Sequence, residues 1–314
     1  PVRPEVTVTR LPLGTAPRAW CAVRGGTVYF TEKTPLPAGF HPGCVFRTLH
    51  AVAADGRGAR PLFVIGHTGT NPLPDFARGL IYSLRRTRDT NGNGLVDSGD
   101  RPELWKIHVR DGRAERLPGA LPPLAVSGRR GELVAGNAGA LYLFRVRGKR
   151  PERLPALPGG VRQVRFDSRD RLLATSGTGR HYLLESGSFR PATELDFLAD
   201  GTRLRLEDGV PALSLPGSPA RPFPLEAGTV RFAYLWRLAD LVLLLRRAPE
   251  LSLIAADPAA GRWTPLYAFP ANTTFHATDI EGRQIALLTT WDSDGDGTLD
   301  PAGLDRSALS LVRI

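Results

Sequence analysis

Two stretches of the 314-residue chain place side-chain oxygens at alternate positions, the pattern of a hard-cation site. In Asp89–Asp100 (DTNGNGLVDSGD), Asp89, Asn91, Asn93, Asp97 and Asp100 fall at loop positions one, three, five, nine and twelve, with Gly94 at six. Calcium takes six to eight oxygens. Alternate residues of a tight turn point inward to supply them, a backbone carbonyl follows at position seven (here Leu95), and glycine at six permits the bend. The second stretch repeats the offsets with Asp292, Asp294, Asp296 and Asp300, Gly297 at six and Thr298 giving the carbonyl. Its position twelve is Gly303, so the closing carboxylate is assigned to Asp305, two residues late. Asp/Asn-Gly sequences also build turns without metal. Four carboxylates within nine residues, however, repel one another unless a cation offsets them. Magnesium suits an all-protein cage less well, because it gives up its waters reluctantly. Two calcium ions are expected.

Other candidates for chemistry are weaker. The six histidines share no close metal spacing. Gly66-His-Thr-Gly69 lacks the strand–turn–helix setting of a nucleophile elbow, and no helix follows Gly177-Thr-Gly179 to make it a phosphate cradle. No catalytic residue is assigned.

The elements that must position these loops are strands. Gly (34) and Pro (28) are scattered evenly, which punctuates many short strands and argues against long helices. A short Arg/Pro/Leu phrase recurs seven times: Val8–Leu13, Ala59–Ile65, Ala114–Ala120, Glu152–Pro158, Phe189–Leu195, Arg221–Ala227 and Trp263–Phe269. About three further strands precede each recurrence. Val161–Phe166, Arg171–Ser176, His181–Glu185 and Phe189–Leu195 make one such unit; Leu195–Leu198, Thr202–Leu206, Pro211–Leu215 and Arg221–Leu225 make the next. Four antiparallel strands repeated radially form the blades of a β-propeller. The expected architecture is therefore an all-β, single-domain propeller of seven blades, with six as the alternative. Its approximate blades are 14–65, 66–119, 120–158, 159–193, 194–226, 227–269 and 270–314 plus 5–13. The chain finishes on a third-type strand, so the N-terminal strand is expected to complete the last blade and close the ring. Both acidic loops then join the second and third strands of a blade, where calcium acts as a staple.

The formal charge is +10, with 38 Arg against 3 Lys. The Arg residues are spread over every segment without a basic run or an aromatic-interleaved basic stretch. This reads as a solvated surface, and a nucleic-acid partner is not expected. The longest aliphatic run, Leu241–Leu245, is far too short to span a bilayer. Pro1 in place of an initiator Met suggests a mature or trimmed polypeptide.

Four-stranded repeats carrying a D-x-N-x-N-G-x-x-D-x-x-D insert, here Asp89–Asp100, resemble the TolB-like β-propellers of bacterial envelopes. The insert itself resembles dockerin and thrombospondin-type calcium loops. The resemblance implies an extracytoplasmic protein, secreted, periplasmic or lipid-anchored, that binds another envelope protein or a surface polymer. In such an oxidising compartment Cys21 and Cys44 would pair, a closure worth about 3 kcal/mol in the chain-entropy model; two separate buried thiols are the alternative. The competing functional class is a propeller lactonase or hydrolase with a metal in the central channel. It needs convergent Glu, Asn and Asp, and only five Asn occur in the chain, two of them in the first loop.

Overall fold

The computed structural model describes residues 6–13, 18–67, 70–127, 129–145, 150–166, 170–191, 203–207, 210–214, 221–222, 232–238, 241–246, 251–257, 262–269, 273–281, 283–293 and 306–313. For 203–246 and 274–280 the description is of the backbone. The strands are β1 (Thr7–Arg10), β2 (Arg18–Arg24), β3 (Thr27–Lys33), β4 (Phe46–Ala53), β5 (Arg60–His67), β6 (Leu73–Asp75), β7 (Leu80–Arg85), β8 (Glu103–His108) and β9 (Ala114–Leu117). They continue as β10 (Pro123–Ser127), β11 (Glu132–Asn137), β12 (Ala140–Arg145), β13 (Glu152–Arg153), β14 (Val161–Phe166), β15 (Leu172–Ser176), β16 (His181–Glu185), β17 (Ser188–Pro191), β18 (Arg203–Glu207), β19 (Val210–Ser214) and β20 (Arg221–Pro222). The last are β21 (Phe232–Leu238), β22 (Leu241–Arg246), β23 (Ser252–Asp257), β24 (Arg262–Ala268), β25 (Thr273–Glu281), β26 (Gln284–Trp291) and β27 (Arg306–Arg313).

These strands form seven sheets among the described residues. Five are simple four-stranded meanders: β2–β5, β6–β9, β10–β13, β14–β17 and β21–β24. β18–β20 make a three-stranded sheet, and the first strand expected for it, Leu195–Leu198, lies outside the described residues. The seventh sheet has the order β1-β27-β26-β25, so the N-terminal strand completes the C-terminal sheet, with Val8 paired to Val312 and Arg10 to Ser310.

The sequence explains the grading within each sheet. Inner strands such as β7 (LIYSLR) and β26 (IALLTT) are buried on nearly every residue, whereas the fourth strands β9, β13 and β17 are largely exposed. The recurring Arg/Pro phrase is therefore the outer edge of each sheet. Proline is tolerated there because it need not donate to a neighbouring strand, and charge there discourages edge pairing. Five first strands, β2, β10, β14, β21 and β25, each carry a register shift, a repeated bulge that the composition did not announce. Gly25 and Gly26, at φ +56° and +70°, make the two-residue hairpin between β2 and β3, a turn that needs positive φ at both positions.

Contacts divide the chain into two compact units, one of 1–32, 50–60 and 196–314 and one of 33–49 and 61–195. In the first, Cys21, Val23, Val28, Phe30, Val52, Ala286, Leu288, Leu309 and Leu311 form one buried cluster. In the second, Leu80, Tyr82, Leu84, Leu104, Leu133 and Ala135 form another. Among the described residues no helix is long and apolar enough to cross a membrane.

Candidate metal loops

The first acidic loop leaves β7 and returns as β8, the second and third strands of their sheet, as expected. Its interior is a ladder of side-chain oxygens capping backbone amides. Asp89 accepts from the Gly92 amide through Oδ1 (2.6 Å) and the Gly94 amide through Oδ2 (2.7 Å). Asn91 Oδ1 accepts from the Asn93 amide (3.0 Å), and Asn93 Oδ1 from the Leu95 amide (2.9 Å). The two carboxamide nitrogens converge on one carboxylate: Asn91 Nδ2 donates to Asp97 Oδ1 (3.3 Å) and Asn93 Nδ2 to Asp97 Oδ2 (2.8 Å). Gly94 sits at φ +88°, a conformation that a residue with a Cβ rarely adopts.

Asp100 has a different part. It is only 2% exposed, and its carboxylate accepts from the amides of Thr90 (2.5 Å), Asn91 (3.1 Å) and Asp97 (2.7 Å) and from the Thr90 hydroxyl (3.0 Å). It clasps the start of the loop to its end. Donation by Thr90 and Asp97 holds its carboxyl below the usual carboxylate range, and donation by Asn93 and Gly99 does the same for Asp97. The base is tied by Arg86 Nε to the Asp100 carbonyl (2.9 Å) and by the Arg101 amide to the Thr90 hydroxyl (2.7 Å).

The loop is also anchored from outside. The segment between β3 and β4 runs beside it: the Val96 amide donates to the Gly39 carbonyl (2.8 Å) and the His41 amide to the Val96 carbonyl (3.0 Å). That connection was not legible as a partner in the sequence, because nothing in Pro35–Cys44 has a periodic pattern to place it.

Of the second loop, Asp292 is half-buried at the end of β26; Asp294, Asp296, Thr298, Asp300 and Asp305 lie outside the described residues. Its base shows one bond matching the first loop: the Arg306 amide donates to the Ser293 hydroxyl (3.1 Å). Thr90 and Ser293 both hold position two of their loops.

The donor set fits a hard cation. Asp89, Asn91, Asn93 and Asp97 bring carboxylate and carboxamide oxygens, Asp100 a buried carboxylate and Leu95 a carbonyl, while sulfur and imidazole are absent from the loop. Among the described residues no three His, Cys, Asp or Glu side chains gather as a metal cluster.

The expected disulfide is not formed. Cys21 and Cys44 both remain thiols, and each is engaged elsewhere. Cys21 lies in the apolar cluster of β2 with its Sγ 3.8 Å from the Ala286 carbonyl; Cys44 donates to the Val96 carbonyl at 3.4 Å. Burial, with the Asp97 charge adding to it, raises the Cys44 thiol above its ordinary value.

Sequence reasoning also missed Arg18, 1% exposed at the start of β2. Its guanidinium donates to Glu32 (2.5 Å), the Leu13 carbonyl (2.6 Å) and the Ser307 carbonyl (3.5 Å), and lies 5.3 Å from the Phe30 ring centroid. In a chain with 38 Arg, no local signal separates this one from its solvated counterparts.

No family model and no curated protein matches the chain. Solved structures do. YCF48 bound to D1 peptide is 17% identical, with 99% of this chain and 96% of that one covered and a TM-score of 0.56. The RRP9 WD40 repeats are 12% identical over 98% and 97%, with a TM-score of 0.56. U3-55K is 13% identical over 99% and 98%, with a TM-score of 0.57. The chain has the β-propeller fold.

Proposed function

We propose that this chain is a calcium-stapled β-propeller acting as a non-catalytic interaction module of the bacterial cell envelope, where it binds an envelope protein or surface polymer. The observation that carries the reading is the Asp89–Asp100 loop, whose oxygens are ordered around alternate residues and whose Val96 is fixed to Gly39 and His41. Calcium held by Asp89, Asn91, Asn93, Asp97 and Asp100 with the Leu95 carbonyl would supply charge neutralisation and a cross-link. The second ion is assigned to Asp292, Asp294, Asp296, Asp300 and Asp305 with the Thr298 carbonyl. The shared closure at Thr90–Arg101 and Ser293–Arg306 supports giving Asp305, the residue before Arg306, the part Asp100 plays before Arg101.

Seven sheets match the seven recurrences of the outer-edge phrase and favour seven blades over six. YCF48 was solved with a peptide, and a related fold occurs in a mitotic checkpoint complex (13% identical, TM-score 0.55), which supports a partner-binding role over a catalytic one. The test is affinity capture from separated envelope and cytosolic fractions, with calcium or with chelator. A partner taken from the envelope fraction in calcium, and lost with Asp89→Ala, is the expected result. Equal capture from cytosol, or none, overturns the reading.

A further inference from the structure

At the base of the second loop, one face of the sheet β25-β26-β27-β1 changes character along its length. Register pairs Val8 with Val312 and Arg10 with Ser310; on the other side, Ile285 pairs with Val312, Leu287 with Ser310 and Thr289 with Ala308. Strand alternation therefore collects Val8, Val312, Ile285 and Leu287 towards one end of this face and Arg10, Ser310, Ala308, Thr289 and Trp291 towards the other. The first end is packed solid with Leu251, Leu253, Ala255 and Phe269.

The second end is not filled. A cavity of about 580 Å³ opens there, walled by Tyr267, Phe269 and Trp291, with Arg10, Ser310 and Thr273 among its polar groups. That size lies within the range of small-molecule sites, which combine an apolar lining with a few placed polar groups. Two hydroxyl residues stand on this stripe, Thr289 and Ser310, only 4% and 7% exposed, the Thr289 hydroxyl donating to the Ala308 carbonyl (3.5 Å). Tyr267 and Phe269 meet edge to face at 4.9 Å, making a firm aromatic wall. The Arg10 guanidinium is 5.0 Å from the Trp291 ring centroid, which steadies an exposed cation at the mouth.

We propose that this cavity binds a small organic anion: a single carboxylate on an aromatic or branched apolar body. The aromatic walls take the body and the Arg10 guanidinium takes the carboxylate, a charge-assisted arrangement. The formal charge of +10 favours approach of an anion. Asp292, also in the lining, disfavours a second carboxylate. The inference does not depend on calcium.

The test is calorimetric titration of the full chain in chelator-containing buffer with phenylacetate, its neutral counterpart 2-phenylethanol, and methyl glucoside. One saturable phenylacetate site is expected, with 2-phenylethanol and the glucoside at least about tenfold weaker. Arg10→Gln, on an exposed strand, should weaken phenylacetate about tenfold at an unchanged melting temperature. Ser310→Leu should abolish binding by filling the cavity, and Asp292→Asn should strengthen it. Absence of saturable heat up to about 10 mM, unchanged affinity in Arg10→Gln or Ser310→Leu, weakening in Asp292→Asn, or equal binding of the alcohol or the glucoside would each overturn the proposal.

Discussion

Cys44 donates its thiol proton to the carbonyl of Val96 at 3.4 Å, and so belongs to the anchor of the first acidic loop. The same carbonyl accepts from the His41 amide, so the segment Gly39–Cys44 and the loop core form one hydrogen-bonded piece. A disulfide would take Cys44 away from this contact.

Thiol titration follows directly from that geometry. Under denaturing, non-reducing conditions a thiol reagent should find two reactive cysteines per chain. In the native protein Cys44 should react slowly, because it is buried and its thiol is raised, and the thiolate is the reactive form. Added calcium should slow it further by holding the loop closed. Zero thiols in denaturant would show a disulfide and contradict the structure.

Asp100 and Asp89 should separate in mutation. Asp100→Ala removes a buried clasp that receives three amides and should lower the melting temperature with or without calcium, since orphaned buried donors are costly. Asp89→Ala, on the exposed side, should cost more in calcium than in chelator. Differential scanning calorimetry of both variants in both buffers measures the contrast.

Acid should loosen the loop in a defined direction. Asp97 and Asp100 are depressed in the folded chain, so each adds stability above the unfolded carboxylate value near 3.9 that is lost as pH falls through the lower folded value. Asp100→Asn should flatten the melting-temperature profile in this acid window.

His50 acts at higher pH. It stacks on Phe30 at 5.2 Å, its Nε2 is buried with no hydrogen-bond partner among the described residues, and desolvation lowers its pKa. The unfolded chain then takes up the proton first. Stability should be full above about pH 6.5 and should fall as pH drops below it, towards the folded value. His50→Gln should remove part of that slope in melting curves taken between neutral and mildly acidic buffer.

The interior sets the scale for these effects. Leu104, fully buried among Tyr82, Leu84 and Leu133, should cost about 2–5 kcal/mol on replacement by Ala, read from denaturant unfolding.

The sheets were legible because alternation, turn residues and the Arg/Pro edge phrase repeat. Strand β14, Val161–Phe166, and strand β16, His181–Glu185, fall where the sequence puts them. The pairing of β1 with β27 followed from counting strands. The tight turn of Asp89–Asp100, with Gly94 at positive φ, was legible because its spacing is local. What was not legible depends on distant partners. The docking of Gly39 on Val96, the burial of Arg18 against Ser307 and the gap beside Trp291 all join residues far apart in sequence, and the cysteines were misassigned for the same reason.

The central claim is that the two acidic loops hold calcium, and metal content tests it most directly. Elemental analysis of protein equilibrated with calcium and freed of excess should find two calcium ions per chain, and one in each of Asp89→Ala and Asp292→Ala. A chain that retains no calcium would contradict the account.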